Sequence, residues 1–158
     1  RIGGKGKDYA KFFVETLLPY VKKTYRVSSH YEDQMIAGSS LGALISVYIA
    51  LEYPQTFKTV GVFSLASWFS EKAFLKHVKS KKVDIDQLFF ITLGKYETSN
   101  EKLKRFPKIY LKNSRTFKKV LESKRVKNIF YQETDDVHDE NNWRKAFPKF
   151  INFAIKKP

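Results

Sequence analysis

Five consecutive residues, Gly38-Ser39-Ser40-Leu41-Gly42, carry the clearest chemical signal in the chain. They match G-x-S-x-G, the pattern of a serine held at the tip of a sharp strand-to-helix turn. Such a turn strains the serine backbone. The glycines two residues either side, Gly38 and Gly42, are expected to lack Cβ atoms so that strand and helix can approach. The same turn sets Ser40 at a helix N-terminus, where unpaired N–H groups and the helix dipole favour a developing oxyanion. The Leu41 N–H is the predicted oxyanion donor. An apolar stretch before the turn (Met35-Ile36-Ala37) and another after it (Ala43 to Tyr48) supply the required strand and helix. Ser39 falls out of register between the glycines.

A serine nucleophile needs a base, and the chain has three histidines. His30 precedes the elbow strand, at the end away from the turn. His77 sits in a lysine-rich segment between strands. His138 follows the last predicted strand, in the acidic run Thr134 to Glu140 just before the final helix. Only His138 falls at the carboxyl end of the sheet, where open α/β sheets carry their sites. The acid that orients it should lie between serine and histidine in the chain. Glu97 comes directly after the strand Leu88 to Leu93, in the turn Gly94-Lys95-Tyr96-Glu97. Asp84 and Asp86 lie at the wrong end of that strand, and Asp135 and Asp136 share the loop of His138. Ser40 as nucleophile, His138 as base and Glu97 as acid is therefore the predicted set. Trp68 and Phe69, following another strand, are candidate pocket walls for substrate.

The elements that must position these groups alternate between strand-length apolar runs and helical patterns, which argues an α/β fold. Helices are predicted over Tyr9 to Tyr25 (disturbed at Pro19), Leu41 to Tyr53, Lys108 to Lys124 and Trp143 to Lys156, the last interrupted near Pro148. Strands are predicted at Gln34 to Ala37, Thr59 to Ser64, Leu88 to Leu93 and Asn128 to Gln132.

Bulk composition agrees with one globular domain: 158 residues, 42% hydrophobic, with 14 phenylalanines. The chain has no cysteine, which excludes a thiol nucleophile and a zinc–thiolate site. No metal or other cofactor is expected. No apolar run reaches the roughly 20 residues that cross a bilayer. The start, Arg1-Ile2-Gly3-Gly4-Lys5-Gly6, is basic without an apolar segment behind it, so it does not read as a signal peptide; the expected location is the cytoplasm. The net charge of +14 comes from lysines scattered along the chain. It reads as solvated helix faces, and nucleic acid is not an expected partner.

The segments Asp8 to Phe12, Leu18-Pro19-Tyr20 and Thr24-Tyr25, the elbow followed by Ala43, Val60 to Ser64, Gly94 to Glu97, and His138 with Glu140 and Trp143 resemble the esterase D-like family of α/β-hydrolases. That group includes feruloyl esterases, siderophore esterases and mycolyltransferases. The resemblance covers nearly the whole chain. It implies an α/β-hydrolase-type, mostly parallel sheet flanked by helices, and metal-free hydrolysis or transfer of acyl groups through an acyl-enzyme on a small-molecule ester. It also implies a further segment upstream, with early strands and the loop that supplies a second oxyanion N–H. On that reading, residues 1–158 are a single, triad-bearing C-terminal portion lacking the usual N-terminal strands. Acyl transfer with the same residues is one alternative, and a non-catalytic basic binding domain on the same scaffold is the other. The oligomeric state is not legible.

Overall fold

The computed structural model describes residues 4–98 and 105–156. Arg1 to Gly3, part of the basic start, lie outside them. The chain begins with helix α1 (Gly6–Phe12), a π-helical turn (Phe13–Leu17) and helix α2 (Leu18–Thr24), and a short 3₁₀ turn (Tyr31–Asp33) leads into strand β1 (Met35–Ser39). There follow α3 (Leu41–Glu52), β2 (Thr59–Phe63), α4 (Glu71–Ser80), β3 (Leu88–Tyr96), α5 (Phe106–Ser123), β4 (Asn128–Val137) and α6 (Glu140–Lys156). Among the described residues the four strands form one parallel sheet in the order β1-β2-β3-β4.

Sequence-adjacent parallel strands joined by right-handed crossovers must carry their connecting helices on one face. The core shows this. Val47 of α3, Phe74 and Val78 of α4, and Phe117 and Leu121 of α5 pack in one cluster with Val60, Val62, Phe89 and Ile91 of the sheet. The alternate strand residues Phe63 and Phe90 face the other way, onto Phe150 of α6. Strand β2 is buried at all five positions, as expected of a parallel strand covered on both faces. α1 joins the first layer through Ala10, with Phe13, Val14 and Leu18 packed alongside.

Several expected boundaries shift for physical reasons. Pro19 does not break the first helix; it has no N–H to offer the Glu15 carbonyl, and the wider π turn directly before it absorbs the change. Pro148 likewise sits inside a continuous α6. Pro148 has no N–H for the Arg144 carbonyl, and both residues are exposed, where water can take the place of that bond. β3 runs to Tyr96 and β4 to Val137, so most of the expected acidic loop is strand. Polar side chains there hide a ladder that the backbone sustains, and Lys95 reaches across it to Asp135 at 2.9 Å. Helix α4 lies where the sequence suggested only a lysine-rich connection; its buried residues, Phe74 and Val78, are too few to stand out from the charges around them. No helix among the described residues is long and apolar enough to cross a membrane.

Candidate active site

The elbow is built as the pattern requires, with one correction. Ser40 has φ 56° and ψ −120°, a conformation that L-residues seldom adopt. Its N–H donates to the Phe63 carbonyl at 2.8 Å, carrying the β1–β2 ladder one residue past the strand and holding the strained turn in place. A Cβ on Gly38 would stand 2.3 Å from the Gly42 carbonyl oxygen, so Gly38 must be glycine for β1 and α3 to meet. Gly42 has no such need: a Cβ there meets nothing within 4 Å. The close approach is made by the Gly42 backbone against Gly38, and only one of the two glycines is sterically required. Leu41, the first residue of α3, has an N–H without an intrahelical acceptor, and its side chain is exposed.

Three residues from three different segments meet at this turn. His138 Nε2 lies 3.0 Å from Ser40 Oγ. The opposite ring nitrogen, Nδ1, is hydrogen-bonded to Glu97 Oε2. A carboxylate can only accept, so His138 Nδ1 carries the proton and donates it in a hydrogen bond to Glu97, which leaves Nε2 free to accept the proton of the Ser40 hydroxyl.

Each partner has its own support. His138 stands between the end of β4 and the start of α6. Asp139 Oδ1 accepts the Asn142 N–H at 2.9 Å, capping α6 one residue after the histidine. The Trp143 ring meets the imidazole edge-on, with centroids 5.0 Å apart. Glu97 follows β3 and is 1% exposed. β3 changes register against β4 between Gly94 and Tyr96, and a Cβ on Gly94 would strike the Asp136 carbonyl oxygen at 2.1 Å. That close approach brings the chain back so that Glu97 Oε1 accepts both the Gly94 N–H and the Ser64 hydroxyl, each at 2.6 Å. Ser64 is itself in the left-handed region (φ 51°), and its Oγ accepts the Trp143 indole N–H at 3.0 Å. One carboxylate oxygen is thus saturated by two donors while the other faces the histidine.

The other candidates lie elsewhere. His30 precedes the 3₁₀ turn before β1. His77 is on α4, stacked on Tyr48 with centroids 4.9 Å apart, and burial pulls its pKa below the usual histidine value. Asp84 accepts the Tyr31 hydroxyl, and Asp86 pairs with Lys127. Among the described residues no group of three or more His, Cys, Asp or Glu side chains is placed to hold a metal ion. Trp68 and Phe69 stand edge-to-face at 5.7 Å, both substantially exposed.

The family described as "Putative esterase" matches residues 1–153. The chain belongs to that family. Two curated relatives come from Bacillus subtilis (strain 168), both named as uncharacterized. YbbA is 28% identical over 95 residues, covering 60% of this chain and 38% of its own length. YjcH is 27% identical over 156 residues, covering 98% of this chain and 61% of its own. The chain therefore spans less than two thirds of either relative. The enterobactin esterase FES from Shigella flexneri shares the fold at TM-score 0.77 and 20% identity, over 93% of this chain and 38% of that one.

In this Esterase-family chain the three residues read from the sequence, Ser40, Glu97 and His138, come together in the fold, and three groups beside them do not stand out in the sequence. Ser64 and the Gly94 N–H bond to Glu97 across the strand ends, and Tyr110 on α5 packs its ring 5.2 Å from that of His138. Ser64 closes the segment Val60 to Ser64 and Gly94 opens the segment Gly94 to Glu97, so both stood in the segments that carry the family resemblance. Nothing in sequence marked Tyr110, which is one aromatic among many on an amphipathic helix.

Proposed function

We propose that this chain, a single α/β-hydrolase unit, is a carboxylic-ester hydrolase working through an acyl-enzyme on Ser40. The observation that carries the reading is the histidine with two matched partners: Ser40 Oγ 3.0 Å from Nε2, and the buried Glu97 on Nδ1. His138 takes the Ser40 proton as Oγ attacks the acyl carbon, then returns it to the departing alcohol oxygen. Glu97 keeps the Nδ1 proton in place and stabilises the imidazolium. The Leu41 N–H, at the start of α3, binds the developing oxyanion. Water then attacks the acyl-enzyme by the same route in reverse. The substrate is a small-molecule ester, and Trp68 and Phe69 form part of the surface it meets.

With p-nitrophenyl acetate as probe, the protein is expected to release nitrophenolate catalytically, and Ser40→Ala or His138→Ala to remove that turnover to near the buffer rate. Steady-state assays of the three proteins at matched concentration check this. Equal turnover in the wild type and the Ser40→Ala variant would sink the reading.

A further inference from the structure

Two of the three non-glycine residues with positive φ among the described residues are serines in matching places. Ser40 (φ 56°) comes one residue after β1, and its N–H donates to the carbonyl of Phe63, the last residue of β2, at 2.8 Å. Ser64 (φ 51°) comes one residue after β2, and its N–H donates to the Thr92 carbonyl of β3 at 2.8 Å. A glycine takes this conformation freely, whereas a serine is strained in it. The first of these serines is the proposed nucleophile. The second is 2% exposed, and its hydroxyl is bonded to Glu97.

That hydroxyl has a single available orientation. The Trp143 indole N–H can only donate, and it donates to Ser64 Oγ at 3.0 Å. A carboxylate can only accept, so the Ser64 proton lies toward Glu97 Oε1, at 2.6 Å between oxygens. Oε1 also accepts the Gly94 N–H, and Oε2 accepts the proton of His138 Nδ1. Among the described residues Glu97 has no lysine or arginine partner, so this buried carboxylate relies on those donors. The Trp143 ring also meets the imidazole edge-on. One residue of α6 thus touches the base directly and the acid through Ser64.

We infer that Ser64 and Trp143 are positioning residues of the triad. Trp143 orients the Ser64 hydroxyl, and Ser64 pins Glu97 Oε1 so that Oε2 stays on His138 Nδ1. The competing role is structural: Ser64 only shapes the chain after β2, and Trp143 only packs. The two roles make different demands. Any residue that accepts φ 51° can shape the turn, glycine best of all, and any aromatic ring can pack on His138. Holding the carboxylate needs the hydroxyl and the indole N–H.

The effect on turnover rests on the acyl-enzyme reading above. The test compares the wild type with Ser64→Ala, Ser64→Gly, Trp143→Phe and the Ser64→Ala/Trp143→Phe double variant. Steady-state kinetics use p-nitrophenyl acetate, with a thermal melt of each protein. Proton NMR follows the far-downfield resonance of the His138 Nδ1–H, identified by its loss in His138→Ala. Both Ser64 variants are expected to lose about tenfold in kcat, the scale of one hydrogen bond, with little change in KM because Ser64 is buried away from substrate. Their resonance should broaden or vanish while the protein stays folded at the assay temperature. Trp143→Phe should move kcat and the resonance the same way, and the double variant should go no further than Ser64→Ala. Wild-type kcat in Ser64→Gly assigns the serine to the turn alone and overturns the inference. So does a resonance left sharp and unmoved by the Ser64 substitutions, or an additive double variant. A wild type that shows the resonance without turnover overturns the esterase reading instead, and the resonance series alone then decides whether Ser64 holds the pair.

Discussion

Replacing Glu97 by glutamine is expected to lower kcat by about 10⁴-fold with little change in KM, the scale set by loss of the correct histidine tautomer in serine hydrolases. Here the reason can be traced through individual donors. Glu97 Oε1 accepts from the Ser64 hydroxyl and the Gly94 N–H, both at 2.6 Å. A glutamine in the same place must put its carbonyl oxygen where those two donors point. Its NH₂ then faces His138 Nδ1, which can no longer be protonated and must accept. The imidazole proton moves to Nε2, and Ser40 is left facing a donor with nowhere to send its own proton. The buried amide stays hydrogen-bonded, so the fold should survive. Steady-state kinetics beside a thermal melt separate the two effects: a large fall in kcat with an unchanged melting temperature is the expected pair.

Gly38→Ala is expected to remove activity by a different route. The added methyl would lie 2.3 Å from the Gly42 carbonyl oxygen and 2.4 Å from its carbon, both backbone atoms that no rotamer change can move. β1 and α3 must separate, at a cost near the upper end of ordinary overpacking, about 3 kcal/mol. In a chain of this size that is a fall in melting temperature of roughly 6–12 °C. The elbow carries the proposed nucleophile, and a displacement of about 1 Å there can cost 10²-fold in rate. Gly42→Ala is the control. Its methyl meets nothing within 4 Å and no glycine among the described residues has positive φ, so it should leave turnover intact. Its melting temperature should hold or rise slightly, since alanine suits a helix better than glycine. Thermal melts and ester turnover on the two variants check both halves.

What could be read in advance divides along physical lines. The elbow was legible because a short local pattern, flanked by an apolar strand and an apolar helix, specifies a local geometry. Glu97 and His138 were legible because parallel α/β topology puts the ends of successive strands on one rim, so chain order stands in for proximity. The two glycines of the elbow looked equivalent in sequence and are not, because only one points its missing Cβ at the other's backbone. β3 and β4 extend further than their apolar runs. Past Leu93 the ladder passes through Gly94, Lys95 and Tyr96, with a register shift that no periodicity announces. Helix α4 was missed because two buried residues among lysines leave almost no apolar signal. Tyr110 was beyond reach altogether: its importance lies in contacts with Trp68 and His138, residues separated from it by 42 and 28 positions respectively, and only the folded chain brings them together.

The central claim, that Ser40 is an activated nucleophile, is met most directly by labelling with a fluorophosphonate, which phosphonylates a serine only when a neighbouring base has made it reactive. Intact mass followed by peptide mapping is expected to show a single adduct, on Ser40. Ser40→Ala should show none, and His138→Ala should be labelled far more slowly. No adduct on Ser40, or one that forms equally fast without His138, would contradict the account.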